Sequence, residues 1–254
     1  MNNELLKVNI IFKDLKFFSA SKVGSGDKSL CLILYNALKK RKDIEVYFNE
    51  DCASNNFDII HIHSVNSKVF SIIKNANTSN IVITAHIIPE TIEGSSWFDK
   101  IWKPFFTIHL KRIYNQAKLV IAVSPYTKQK LEELHLKPKI VYIPNGIDRD
   151  IFKPDPKVRS YMREKYKLDD KDIVILSVGQ TIKRKGFDSF VKVAKSLPQY
   201  KFFWIGGIPF SFLSSGYSEV KRVQASPPPN LFLPGPQPHE EIYKFYNMAD
   251  IFFF

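Results

Sequence analysis

Three cations stand together at Lys183, Arg184 and Lys185, inside the stretch SVGQTIKRKGF. The apolar run before them reads as a strand ending at Val178. Gly179 permits a turn, and a helix is expected from about Gly186. Positive side chains at the carboxyl end of a strand, beside a helix N-terminus whose dipole favours negative charge, make an anion site. The competing reading is a solvated basic turn. The stretch VGSGDKS, Val23 to Ser29, repeats the theme, because Gly24 and Gly26 ahead of a helix let the backbone approach a phosphate. The loop from Lys13 to Gly26 is longer than a dinucleotide fingerprint allows, so a flexible turn is the alternative there. The histidines offer proton chemistry. His61 and His63 alternate along one strand and share a face, which suits either a metal pair with no third ligand placed by spacing or a packed pair in core or cleft. His86 closes the strand IVITAH, at the end where parallel sheets bind ligands, and Glu90 and Glu93 lie just beyond it. His109, His135 and His239 fall on expected helices and read as surface residues.

The elements that must position these residues are legible as alternating runs. KVNIIF, IEVYF, FDIIHIH, NIVITAH, KLVIAVS and KIVYIP are strands. A helix over DKSLCLILYNALKK follows the first of them, with Asp27 as its expected N-cap. Another fills SPYTKQKLEEL, where Ser124 caps and Pro125 takes the first turn. After Pro144 the chain turns polar and proline-rich, as in a linker with a connecting helix. A second alternation follows: DIVILSVG, the helix KGFDSFVKVAKSL, YKFFWIGG, NLFLPG, the helix HEEIYKFYNMA, and DIFFF. Continuously apolar strands alternating with helices argue for parallel sheets covered on both faces. The expected class is α/β with two Rossmann-like parallel-sheet domains, residues 1–146 and 147–254. The closing run Ile251 to Phe254 reads as the start of a buried strand that needs further neighbours.

Composition narrows the partners. The 254 residues carry 37 Lys+Arg against 25 Asp+Glu, a formal net charge of +12, which favours an anionic partner. With 44% hydrophobic residues the chain can build cores. Two cysteines without metal spacing fit reduced thiols in the cytosol. No stretch is long and apolar enough for a signal peptide or a membrane span. Charge alone suggests nucleic acid, but no recognition-helix or RNA-binding signature supports it.

The most aromatic stretch is SWFDKIWKPFFTIHLKRIYNQAK, Ser96 to Lys118. Phe106, Leu110, Ile113, Tyr114 and Ala117 form a core stripe at helical spacing. Phe105 and Ile108 fall on the other side, near Lys111 and Arg112, with Trp97, Phe98, Ile101 and Trp102 upstream and Lys100 and Lys103 interleaved. That pattern suits an interfacial element for anionic lipid. A helix buried on two sides would carry the same pattern.

Together these features resemble a family. VYIPNGIDRDIFKP is similar to the interdomain signature of GT-B glycosyltransferases of family 4, and SVGQTIKRKGFDSFVKVAK to the first strand, phosphate loop and helix of their donor-binding domain. The segments AHIIPETIEGS, FFWIGGIPFSFLSSGY and PPPNLFLPG resemble bacterial glucosyltransferases that build membrane glycolipids on diacylglycerol. The resemblance implies a retaining transfer of a hexose, glucose from UDP-glucose, to a lipid acceptor on the cytoplasmic face of the membrane, with no metal and no other cofactor. It places the diphosphate on Arg184 and Lys185, the Gly24–Gly26 loop close to it, His86 against the donor sugar, and Gly206, Gly235 and Pro236 around the base. Glu90 and Glu93 would flank the acceptor. Gln180 departs from the family, many of whose members carry arginine there. YNMADIFFF resembles the segment that precedes the family's acidic motif, so the resemblance also implies a C-terminally truncated chain with a broken donor site, poorly stable and weakly active. A non-catalytic remnant that binds anionic lipid or nucleotide is the alternative.

Overall fold

A computed structural model describes residues 5–13, 26–93, 99–208, 214 and 216–254. Gly24 and Trp97 lie outside the described residues. The chain divides into two units, with the main division between Ile147 and Asp148.

The first unit carries β1 (Leu6–Ile11), α1 (Gly26–Lys39), β2 (Ile44–Phe48), β3 (Ile59–Ile62), α2 (Lys68–Lys74), β4 (Ile81–Ala85), α3 (Asp99–Tyr114), β5 (Leu119–Ala122), α4 (Pro125–Glu133) and β6 (Lys139–Tyr142). Its six strands lie in the order β2-β1-β3-β4-β5-β6, and every pairing is parallel. Ile60, Ile62, Ile81, Ile83 and Val120 pack with Leu110, Ile113 and Tyr114 of α3 and Leu131 of α4. The apolar runs of β1, β3, β4 and β5 form strands here because each finds a partner on both edges, while β2 and β6 close the two sides of the sheet. Asn9, fully buried within β1, donates from its side-chain amide to the Glu50 carbonyl at 3.0 Å. Ser124 caps α4 as expected, accepting from the Thr127 amide at 3.0 Å. α1 begins at Gly26, one residue ahead of the expected cap, so Asp27 lies inside its first turn. Cys31 and Cys52 are both buried thiols.

The second unit carries α5 (Pro156–Lys165), β7 (Val174–Val178), α6 (Phe187–Ser196), β8 (Lys201–Ile205), α7 (Tyr217–Ala225), β9 (Leu231–Gly235), α8 (His239–Met248) and β10 (Ile251–Phe252). Its sheet runs β10-β7-β8-β9, again all parallel. β8 shows why it must be covered on both sides. Phe202 and Trp204 pack with Phe190 of α6 and Val220 of α7, while Phe203 and Ile205 pack with Met162 of α5 and Phe245 of α8. The connecting helix of the sequence reading is thus part of this core. α5 is fixed there by arginines. Arg159 donates to the carbonyls of Asn247, Met248 and Ala249 and pairs with Asp250. Arg163, 6% exposed, reaches the Asp172 carbonyl at 2.8 Å. β10 departs from expectation. It pairs with β7 on one edge, and its Ile251 and Phe252 are nearly half exposed, because an edge strand has a neighbour on one side only.

Candidate active site

At the carboxyl ends of β3 and β4 the first unit gathers three imidazoles. The parallel register sets His61 beside Val82 and leaves His63 and His86 just beyond the paired residues. His61 and His63 do share a face: their ring centroids are 4.3 Å apart. His63 Nδ1 lies 3.0 Å from His86 Nε2, with ring centroids 5.2 Å apart and an interplanar angle of 27°. His61 Nε2 meets the Thr84 hydroxyl at 2.7 Å. Burial, followed by the neighbouring imidazoles, pushes the His61 pKa down to about 4 and that of His63 to about 2. Both rings are therefore neutral near pH 7. Among the described residues no group of three or more His, Cys, Asp or Glu side chains is arranged to hold a metal ion.

The segment after β4 is pinned from below. The Tyr114 hydroxyl of α3 donates to the Ile87 carbonyl at 2.5 Å, and a 3-10 turn spans Pro89–Ile92. That turn brings Glu90 and Glu93 to a common cation, Lys103 of α3, at 3.6 and 2.5 Å. Glu90 Oε2 is buried with no hydrogen-bond partner among the described residues. The hydrogen bond to Glu93 raises the Lys103 pKa. Lys103 was read as one of the cations interleaved in a lipid-facing pattern; the structure assigns it to the two glutamates, on the core-side flank of its helix. His109 is likewise no surface residue. Its Nε2 meets the Val65 carbonyl at 2.8 Å, because its position on α3 turns it toward the loop after β3. His135 lies just past α4 with a φ of 49° rather than on the helix.

The rest of α3 separates a buried face from an exposed one. Leu110, Ile113 and Tyr114 are fully buried, whereas Trp102, Phe105 and Ile108 are 63%, 64% and 52% exposed. Lys100, Lys111 and Arg112 are exposed with them. The helix is buried on one side only. No helix among the described residues is long and apolar enough to cross a membrane.

In the second unit the ends of β7, β8 and β9 are joined through glycine backbone. The Gly179 amide donates to the Ile205 carbonyl at 2.9 Å, and the Gly206 amide to the Gly235 carbonyl at 3.1 Å. Gly206 has a φ of 149°, and a Cβ there would come within 1.8 Å of the Gly179 oxygen. That oxygen also accepts from the Trp204 indole at 3.1 Å. Only glycine fits such a position. Lys183–Lys185 form a 3-10 turn, Gly186 reverses the chain at a φ of 78°, and α6 begins at Phe187. The three cations are exposed, next to Gln180. A Cβ on Gly179 would meet Lys185 Cδ at 4.0 Å, so the lysine stem lies over the strand-end turn. Partial desolvation there, followed by the charge of Arg184, lowers the Lys185 pKa. Pro236 follows Gly235 as an exposed residue.

Sequence reasoning missed three of these partners: Thr84, the pairing of His63 with His86, and Lys103 as a bridge. Each depends on register or helix rotation. The alternation of His61 and His63 was the one local signal that a histidine cluster existed.

A model of glycosyltransferase family 4 matches residues 26–151, and one of glycosyl transferases group 1 matches residues 158–254. Alpha-galactosylglucosyldiacylglycerol synthase of Streptococcus pneumoniae is 26% identical over 99% of this chain and 67% of its own length. Processive diacylglycerol alpha-glucosyltransferase of Acholeplasma laidlawii is 29% identical over 78% of this chain and 58% of its own length. The chain therefore spans about two thirds or less of these relatives. Among solved structures, sucrose-phosphate synthase of Thermosynechococcus elongatus superposes with a TM-score of 0.72 at 17% identity, covering 98% of this chain and 75% of that one. Anabaena HepE, in complex with UDP-glucose, gives 0.67 at 13% identity, covering 97% and 73%. With two family models accounting for most of its length and two parallel-sheet units that match the GT-B enzymes, the chain belongs to the family 4 glycosyltransferases.

Proposed function

We propose that this glycosyltransferase chain serves a retaining transfer of glucose from UDP-glucose to a diacylglycerol-type lipid at the anionic, cytoplasmic face of a membrane, without a metal. The observation that carries the donor half is the exposed turn Lys183–Arg184–Lys185 on a glycine-built strand end. Exposed cations beside close-approach backbone suit a diphosphate, whose charge grows as the leaving group departs. Arg184 and Lys185 neutralise it, and Arg184 stands in for the arginine that Gln180 replaces. Gly206, Gly235 and Pro236 border the base, and Gly24 and Gly26 are assigned to the same phosphates. His86 contacts the donor sugar, and Glu90 with Glu93 serves the acceptor side. The exposed Trp102, Phe105 and Ile108, flanked by Lys111 and Arg112 and preceded in sequence by Trp97, support docking on anionic lipid. The lipid glycosyltransferases named above favour the same acceptor class.

The deciding experiment measures transfer of labelled glucose from UDP-glucose to diacylglycerol in anionic vesicles, with UDP binding by calorimetry in parallel. Transfer that falls with Arg184→Gln and Lys185→Gln supports the proposal. UDP binding without transfer identifies the alternative, a nucleotide-binding protein without catalysis, and neither binding nor transfer sinks both. For the membrane half, wild type co-sediments with anionic vesicles and the Trp102→Glu/Phe105→Glu variant does not; equal sedimentation rejects it.

A further inference from the structure

His86 does not stand alone at the end of β4. Its Nε2 is 3.0 Å from His63 Nδ1, and His63 is 7% exposed. One proton is shared across that contact, since two protonated nitrogens would repel and two bare ones would form no bond. Two arrangements follow. If His86 donates, neutral His63 must carry its own proton on Nε2. That atom is buried and has no hydrogen-bond partner among the described residues. If His63 donates, its Nε2 is left as a bare lone pair. A buried N–H without an acceptor is the defect that folded proteins tolerate least.

We infer that His63 is a positioning residue for His86: it donates Nδ1–H to His86 Nε2 and thereby holds His86 as the tautomer protonated on Nδ1. His63 is itself held. The His61 ring lies against it in a tilted contact, centroids 4.3 Å apart, and is anchored to Thr84 at 2.7 Å, and the His63 amide donates to the Ile11 carbonyl at 2.9 Å. Burial keeps both supporting rings uncharged, so neither His61 nor His63 gains a proton across the physiological range. The consequence is chemical. With Nε2 occupied as an acceptor, the Nδ1 edge of His86 is a hydrogen-bond donor, suited to an oxygen of a sugar rather than to abstraction of a proton. This consequence rests on the reading of His86 as the donor-sugar contact; the tautomer itself does not.

Nitrogen-15 NMR of the histidine-labelled chain tests it directly, because pyrrole-type and pyridine-type ring nitrogens have distinct shifts. The expected spectrum shows His86 protonated on Nδ1. His63→Phe should move His86 toward the Nε2–H form that a free histidine side chain favours. His63→Asn, whose amide places an N–H near the original Nδ1, should restore the wild-type signature. In the transfer assay, His63→Phe lowers kcat about fivefold or more with KM little changed, in proportion to the lost tautomer population, and His63→Asn recovers it. A wild-type spectrum with the proton on His86 Nε2 overturns the inference, whether or not the variants fold. So does a His63→Phe spectrum in which His86 is unchanged. Absence of transfer with the expected spectrum rejects the proposed function and leaves the tautomer assignment standing.

Discussion

The two units end their sheets in opposite ways. At β3 and β4, side chains make the surface: a row of three imidazoles in successive contact, with His61 and His63 kept neutral by burial and His61 braced by Thr84. At β7, β8 and β9, backbone makes it: glycines whose amides and carbonyls lace the strand ends together, with charge supplied by an exposed turn above them. The first arrangement is rigid in its protons and sensitive to acid. The second is rigid in its backbone and indifferent to acid, and its cations are free to follow a ligand. Direction of a hydrogen bond is a problem for the first kind of surface, and neutralisation of charge for the second.

Acid should separate them most widely. His61 and His63 bind protons near pH 6.5 when unfolded but only near 4 and 2 when folded. Their folded pKa values are depressed, so stability is full above pH 6.5 and is lost as pH falls from there. Each histidine costs up to about 1.4 kcal/mol per pH unit in that window. Hydrogen exchange from pH 7 to 4.5, corrected for intrinsic rates, should show protection falling in β3 and β4 by several kcal/mol while β7 and β8 hold. Asp250, the acid that fastens β7 to α5, has a lowered pKa and does not titrate until below the usual carboxylate range. Equal loss in both units would erase the contrast.

Gly206→Ala attacks the second surface at its backbone. With the new Cβ 1.8 Å from a carbonyl oxygen and a φ of 149°, strain cannot be relieved by a side-chain rotation. A loss of about 3 kcal/mol or more is expected, confined to β7–β9 and read as a lowered urea midpoint for that unit. Tolerance of alanine would mean that the strand ends are less tightly laced than their hydrogen bonds imply. Thr84→Val is the milder counterpart in the first unit. It leaves His61 Nε2 without its hydroxyl at nearly constant volume, for about 1–3 kcal/mol. A neutral result would show that ring contacts alone hold the row.

How much of this was readable in advance follows the same division. Strands β1 to β9 were legible because runs such as VILSV and KFFWI are apolar on both faces, and a parallel sheet demands that. α7 went unread because Val220 and Val223 are its only strongly apolar positions, too few to set a period. α5 was legible as a connecting helix, but its place in the core was not, because beside Met162 it is held by arginines whose partners lie elsewhere in the chain. At the candidate site, the basic turn was visible as a contiguous string, whereas the His63–His86 contact joins residues from neighbouring strands whose register no local pattern reports. Lys103 was visible only as one basic residue among several. A helix rotated by a third of a turn would have sent it to solvent instead of to Glu90 and Glu93.

Lys185→Gln is expected to have the smallest effect on stability and gives the finest test of the contrast. The side chain is exposed, has its pKa lowered by desolvation and by Arg184, and makes no ion pair among the described residues. Removing its charge relieves a like-charge neighbour and leaves the Gly179–Gly206 backbone untouched, so the unfolding midpoint should shift by less than about 0.5 kcal/mol in either direction. Diphosphate binding, measured by calorimetry with UDP, should nonetheless weaken about tenfold, the worth of one charge-assisted contact. The histidine row offers no equivalent, because His63 is buried, His61 is partly so, and their contacts also hold the strand ends. A Lys185→Gln chain that binds UDP as tightly as wild type would place the anion elsewhere than on this turn. One that loses stability and binding together would make the turn a structural element, and the two strand ends would then differ only in residue type.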